Sequence, residues 1–108
     1  MFDINALKNW MLGHDIELIV YSNFWSNFES YKLEEPVEFN KYFSDYNVSS
    51  LQTKIISVAI NFSGNYPDFK KNHVIITIDM EYYGKQIGYY KLLFNEDGSI
   101  ADDFFVIY

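Results

Sequence analysis

The clearest pattern in this chain lies in its second half, where apolar residues recur at every second position. Between His73 and Tyr83, the residues Val74, Ile76, Ile78, Met80 and Tyr82 share one face, and Thr77, Asp79 and Glu81 share the other. That period of two marks a half-buried strand. Lys54 to Ser63 alternates in the same way, with Ile56, Val58, Ile60 and Phe62 predicted to point inward. Ser63-Gly64-Asn65-Tyr66-Pro67-Asp68 reads as the loop between these two strands. Tyr83-Gly84-Lys85-Gln86 predicts a tight reversal into a third strand, Ile87 to Asn95. Asn95-Glu96-Asp97-Gly98 suits a type I turn with Gly in the left-handed region, and Ile100 to Tyr108 closes a four-strand meander.

The first half carries a different period. Asp3 suits a helix N-cap, with Ile4, Leu7 and Met11 on one face, Trp10 beside them and Gly13 past the end. Asp15 to Tyr21 reads as a strand, because Ile16, Leu18 and Val20 share a face. Residues 22 to 33 fit a loop or short helix. From Pro36 to Tyr46, the stripe Phe39, Tyr42, Phe43 and Tyr46 has the spacing of a second short helix, with Pro36 in its first turn. Glu34, Glu35 and Glu38 complement the positive end of its dipole. Helices and strands are thus segregated, which predicts an α+β fold. Its N-terminal helix and second short helix pack on one face of a curved antiparallel sheet. A helix lying in such a sheet resembles cystatin-like and related cone-shaped folds.

The 108 residues make one domain, 1–108, without repeats or linkers. There is no Cys, which excludes disulfides, thiolate catalysis and Cys-ligated zinc. Acidic residues outnumber basic ones 15 to 8, for a net charge of −7, and every basic residue is Lys. A chain without Arg and with this charge is poorly suited to bind nucleic acid directly or to sit on an anionic membrane. It is better matched to a basic protein, whose opposite potential speeds encounter. The opening Met1-Phe2-Asp3 lacks a basic stretch leading into an apolar one, so no secretory leader is expected and the expected compartment is the cytoplasm.

Candidate chemistry is sparse. His14 and His73 belong to no metal motif. Glu34 and Glu38 lie one helical turn apart, and Asp79 and Glu81 lie roughly 6.7 Å apart along one strand face. The second gap overlaps that of inverting glycosidases, but any alternating strand produces such pairs. Asn95-Glu96-Asp97-Gly98 lacks the later ligands of a calcium loop. No phosphate-binding loop or nucleophile elbow is present. The sequence therefore predicts no catalytic residue, no metal and no cofactor. Ten Tyr, ten Phe and two Trp are more informative. Some must stay partly exposed, and Tyr is favoured where proteins dock. The last three strands carry Asp79, Glu81, Tyr83, Tyr89, Glu96, Asp97, Asp102 and Asp103, and these eight form the expected partner-binding set.

The segments Tyr82-Tyr83-Gly84-Lys85-Gln86-Ile87-Gly88-Tyr89-Tyr90 and Asp97-Gly98-Ser99-Ile100-Ala101-Asp102-Asp103-Phe104-Phe105, in a small acidic chain without Cys, resemble small bacterial immunity proteins. The resemblance implies a non-enzymatic inhibitor that covers the active or substrate-binding site of a basic toxin domain, often a nuclease. The chain itself is expected to be a monomer or weak dimer. Two other expectations stand beside it: a cone-shaped domain that holds a small ligand or performs acid–base chemistry, and an acidic mimic that blocks a nucleic-acid-binding protein.

Overall fold

The computed structural model describes residues 3–108. The opening Met1-Phe2, read above for a leader, lies outside them. Three helices come first: α1 (Ile4–Gly13), α2 (Ile16–Glu34) and α3 (Pro36–Tyr42). A 3-10 turn (Val48–Ser50) leads into β1 (Leu51–Ser63), β2 (Lys71–Tyr82), β3 (Lys85–Phe94) and β4 (Ile100–Ile107). The strands form one antiparallel meander in the order β1-β2-β3-β4, an open, curved sheet. The α+β class and the four-strand meander are as the sequence predicts.

The main departure is α2. Asp15 to Tyr21 is helical, as are residues 22 to 33, so a predicted strand and an unassigned stretch are one 19-residue helix. Ile16, Val20, Phe24 and Phe28 recur every fourth residue and are all fully buried, whereas Leu18 is 72% exposed. The apparent alternation of Ile16, Leu18 and Val20 was the first turn of this longer i, i+4 series. Asp15, at φ 51, makes the corner between α1 and α2. The second predicted helix ends early, at Tyr42. Phe43 and Tyr46 lie beyond it, yet both still join the core.

The helices cover one sheet face. Val74, Ile76, Ile78, Met80 and Tyr82 of β2 point into the core with Tyr90, Leu92 and Phe94 of β3, as their cross-strand pairing requires. The centre of this layer is aromatic. Phe24 meets Trp25, Phe28, Tyr90 and Phe105. Phe28 meets Phe39, Phe43 and Tyr46. Tyr82 closes the other side against Phe43 and, through its hydroxyl, accepts from the Asn47 backbone N–H at 3.0 Å. Gly88 is needed where β3 meets β4: a Cβ there would lie 2.1 Å from the Val106 carbonyl oxygen.

In β1 the register slips between Ile55 and Ser57. This bulge turns Ile56 away from the helices and leaves it 53% exposed, contrary to its predicted inward place. Val58, Ile60 and Phe62 keep the helix side. Ile60 and Phe62 nevertheless remain 39% and 46% exposed, because they border a groove of about 360 Å³ beside Ala6, Leu7 and Trp10 of α1.

Because Phe28 contacts rings from α3 and from the loop after it, Phe28→Ala should lower the unfolding free energy by about 3–5 kcal/mol in urea titration. Burial also raises the tyrosine hydroxyls. That of Tyr31 is pushed from 10.0 to about 12 by desolvation and the nearby Glu38 carboxylate, and those of Tyr46 and Tyr90 are raised too, mainly by burial. The unfolded chain releases these protons first, so the folded state binds more protons above pH 10. Stability is thus fully present below pH 10 and should fall as pH rises towards about 12, which circular dichroism and tyrosinate absorbance can follow together.

Candidate functional site

Among the described residues no helix covers the other face of the sheet. The register places its residues in rows across the strands. Lys54, Asp79, Tyr89 and Val106 form one row; Ser57, Thr77, Lys91 and Phe104 form the next; Ala59, Ile75, Leu93 and Asp102 form a third. At the end nearer the β2–β3 turn, Gln52 faces Glu81, which pairs with Gln86. Five apolar or aromatic side chains of β2, β3 and β4 therefore gather on the helix-free side: Ile75, Leu93, Tyr89, Phe104 and Val106. Phe104 is 47% exposed, and the others are half-buried among their neighbours.

The charges sit around this apolar strip. The Gln86 amide donates to Asp79 Oδ1. Asp79 and Glu81 border a depression of about 160 Å³ with Gln52, Lys54 and Ile56. Lys91 Nζ lies 5.2 Å from the Tyr89 ring centroid, a cation–π distance, and Tyr89 also touches Tyr108. Asp102 stands on the β4 edge. The face itself is of mixed sign, with Lys54 and Lys91 among its carboxylates.

Of the eight predicted residues, the structure thus brings four to one face: Asp79, Glu81, Tyr89 and Asp102. The rest lie elsewhere. Asp103 turns towards the helices, where its Oδ2 accepts from the Tyr90 hydroxyl at 3.1 Å and the Asn27 amide at 3.1 Å. It fastens β4 to α2. Glu96 and Asp97 occupy the β3–β4 turn at the far end of the sheet. The Glu96 carbonyl accepts from Trp10 Nε1 at 2.7 Å, so this turn is where α1 docks. Asp97 accepts from the backbone N–H of Ser99 at 2.9 Å and also from its hydroxyl, bonds that hold its carboxyl below the ordinary range.

Tyr83 is at the opposite turn, 66% exposed. Its φ is 50 and that of Gly84 is 77, the pattern of a type I′ hairpin, in which Asn or Gly usually takes the first place. A ring contact with Tyr82 and a backbone hydrogen bond from Tyr83 N–H to the Ser50 carbonyl, 3.1 Å, hold it there. A bulky residue kept in a strained, exposed position is the kind of feature that function retains.

The sequence analysis missed Ile75, Leu93, Phe104 and Val106. Their signal was present. Val74-Ile75-Ile76, Leu92-Leu93-Phe94 and Phe104-Phe105-Val106-Ile107 are unbroken apolar runs, not alternations, and such runs mark strands with two apolar faces.

No family model, curated protein or solved structure matches the chain. The reading of the site therefore rests on its geometry. Among the described residues no cluster of His, Asp and Glu has the arrangement of a metal site, and no helix is long and apolar enough to cross a membrane. On the helix side of the sheet the buried side chains are apolar or tyrosyl. The opening on that side is the groove of about 360 Å³ between α1 and β1, lined by Leu7, Trp10, Ile60 and Phe62.

The strain at Tyr83 is testable. A non-glycine residue in the left-handed region costs roughly 1–2 kcal/mol, less for Asn, and the exposed ring contact returns only about 0.5 kcal/mol. Tyr83→Asn should therefore raise the unfolding free energy by about 0.5 kcal/mol in urea titration.

Proposed function

We propose that the chain is a protein-binding inhibitor of the immunity type, which docks the helix-free face of its sheet on a basic toxin domain and covers that domain's active or substrate-binding site. The observation that carries the reading is the apolar strip of Ile75, Leu93, Tyr89, Phe104 and Val106, flanked by Asp79, Glu81 and Asp102, on a sheet face with no covering layer. An apolar centre within a polar rim is the anatomy of a docking surface. The rigid rings supply contact area with little rotamer entropy to lose. The net charge of −7 supplies long-range attraction to a cationic partner, while Lys54 and Lys91 fix orientation locally.

The reading specifies which residues to change. Asp103 must stay, because it holds Tyr90 and Asn27. Asp79 lies opposite Lys54 and is neutralised, not reversed. In the variant Asp79→Asn/Glu81→Lys/Asp102→Lys the fold should persist, by circular dichroism. Affinity purification from the native host should recover a basic domain with the wild-type chain and not with the variant. Cells that produce that domain should resume growth when the wild-type chain is co-expressed. The purified pair should bind at least about 100-fold more weakly with the variant, and should weaken steeply as salt rises. Equal binding by the variant, or absence of growth rescue, would overturn the assignment.

A further inference from the structure

We infer that the outer edge of β1 is the seam of a homodimer, in which β1 of a second copy pairs antiparallel across a two-fold axis centred on Ala59 and the two sheets become one of eight strands. The two edges of the sheet are built differently. The β4 edge carries Asp102 and Asp103, and Asp103 is tied to α2 through Asn27. Carboxylates on an edge strand are a usual protection against further pairing. On the β1 edge the only such devices are Lys54, near its start, and the bulge at Ile56. β1 is a 13-residue strand without proline, and no charged residue lies between Lys54 and Asp68. In a chain with 21% charged residues, that gap coincides with the outer edge of a strand that has a neighbour on one side only.

The lack of charge also indicates the occupant. A basic partner finds no carboxylate along this strand to attract it. A second copy of a chain with net charge −7 is repelled everywhere except along a neutral seam. The sequence is moreover self-complementary in an antiparallel register about Ala59. Val58 then opposes Ile60 on the helix side, apolar against apolar, and Ser57 opposes Asn61 on the open side, polar against polar. Both pairs occur twice by symmetry. Small Ala59 sits at the axis. The bulge between Ile55 and Ser57 limits the ladder on one side, so the seam is short and the dimer dissociates at low concentration. Because the β4 edges are blocked, growth stops at two copies. The open faces of the two sheets then lie side by side, separate from the seam, so the inference does not depend on what those faces bind.

Sedimentation velocity over about 5 to 200 µM should show a monomer–dimer equilibrium with a dissociation constant on the order of 10 µM, as expected of an interface at the small end of the range. The equilibrium should persist at high salt. Ala59→Lys, a change at an exposed position, puts two like charges at the axis and should leave the protein monomeric but folded. Opposed Cα atoms in an antiparallel pair lie about 4.5–5.5 Å apart, within disulfide range. As the chain has no cysteine, Ala59→Cys should cross-link on mild oxidation into a disulfide-linked dimer, and Ala101→Cys on the β4 edge should not. A wild-type chain that stays monomeric across the range would overturn the inference. So would a dimer indifferent to Ala59→Lys, or equal cross-linking at the two alanines.

Discussion

The aromatic interlock between α2 and the sheet organises everything else in this molecule. Phe24 and Phe28 lie on the one stripe of α2 that is wholly buried, and between them they touch rings from α3, from the loop after it, from β3 and from β4. A helix with exposed Leu18 and Leu33 has no strong amphipathic stripe of its own. What fixes its rotation is this cluster, in which large rings meet edge to face. With α2 fixed, α1 and α3 attach at its two ends and reach the same side of the sheet. All helical cover is thus committed to one face, and the other is left to the strands alone.

Two polar contacts complete this arrangement and account for its asymmetry. At one side, Asn27 of α2 and Tyr90 of β3 both donate to Asp103, which binds the β4 edge to the helical layer. At one end, the Trp10 indole donates to the Glu96 carbonyl, and a Cβ on Gly98 would collide with the His14 ring, so α1 is seated on the β3–β4 turn. β1 is seated differently. Its bulge turns Ile56 out, and the α1 groove leaves Ile60 partly exposed. The fold is closed along β4 and open along β1.

Legibility in the sequence followed the number of neighbours that each strand satisfies. β2, central and paired on both sides, shows its inward stripe without ambiguity, from Val74 to Tyr82. The hairpin turns at Tyr83-Gly84 and Asn95–Gly98 were readable because left-handed backbone selects glycine, as the φ of 77 at Gly84 and 89 at Gly98 confirms. α2 was not readable as one element, because its apolar residues are spread around the helix and its first turn also alternates. Ile56 was misplaced because a bulge shifts every residue on one side of it by one position, and no local residue choice announces that shift. The candidate site was half legible. Polar residues on outward positions of β2 and β4 identify Asp79, Glu81 and Asp102. The apolar members were hidden because attention to alternation discounts the residue that breaks it. The separation of Glu96 and Asp97 from Tyr83 depends on strand length, which places the two turns at opposite ends of a 48 Å molecule.

Two surfaces remain without a layer over them, and their chemistry divides them. The helix-free face combines rings, aliphatic side chains and charges of both signs, so association there contains an electrostatic component that mobile ions screen. Beyond Lys54 the β1 edge offers only backbone donors and acceptors and uncharged side chains, so pairing there is governed by hydrogen bonds and apolar contact and is nearly indifferent to salt. The negative field that, in the proposed function, would draw a cationic protein to the face also opposes the approach of a second copy, and a neutral seam is where that opposition is least. Burying a charge at the seam costs more than a short ladder of hydrogen bonds returns. The thirteen residues without charge between Lys54 and Asp68 satisfy that condition, whereas the acidic β4 edge does not. Salt concentration therefore separates the two proposed associations: it would weaken one and spare the other, although both would arise from a single sheet.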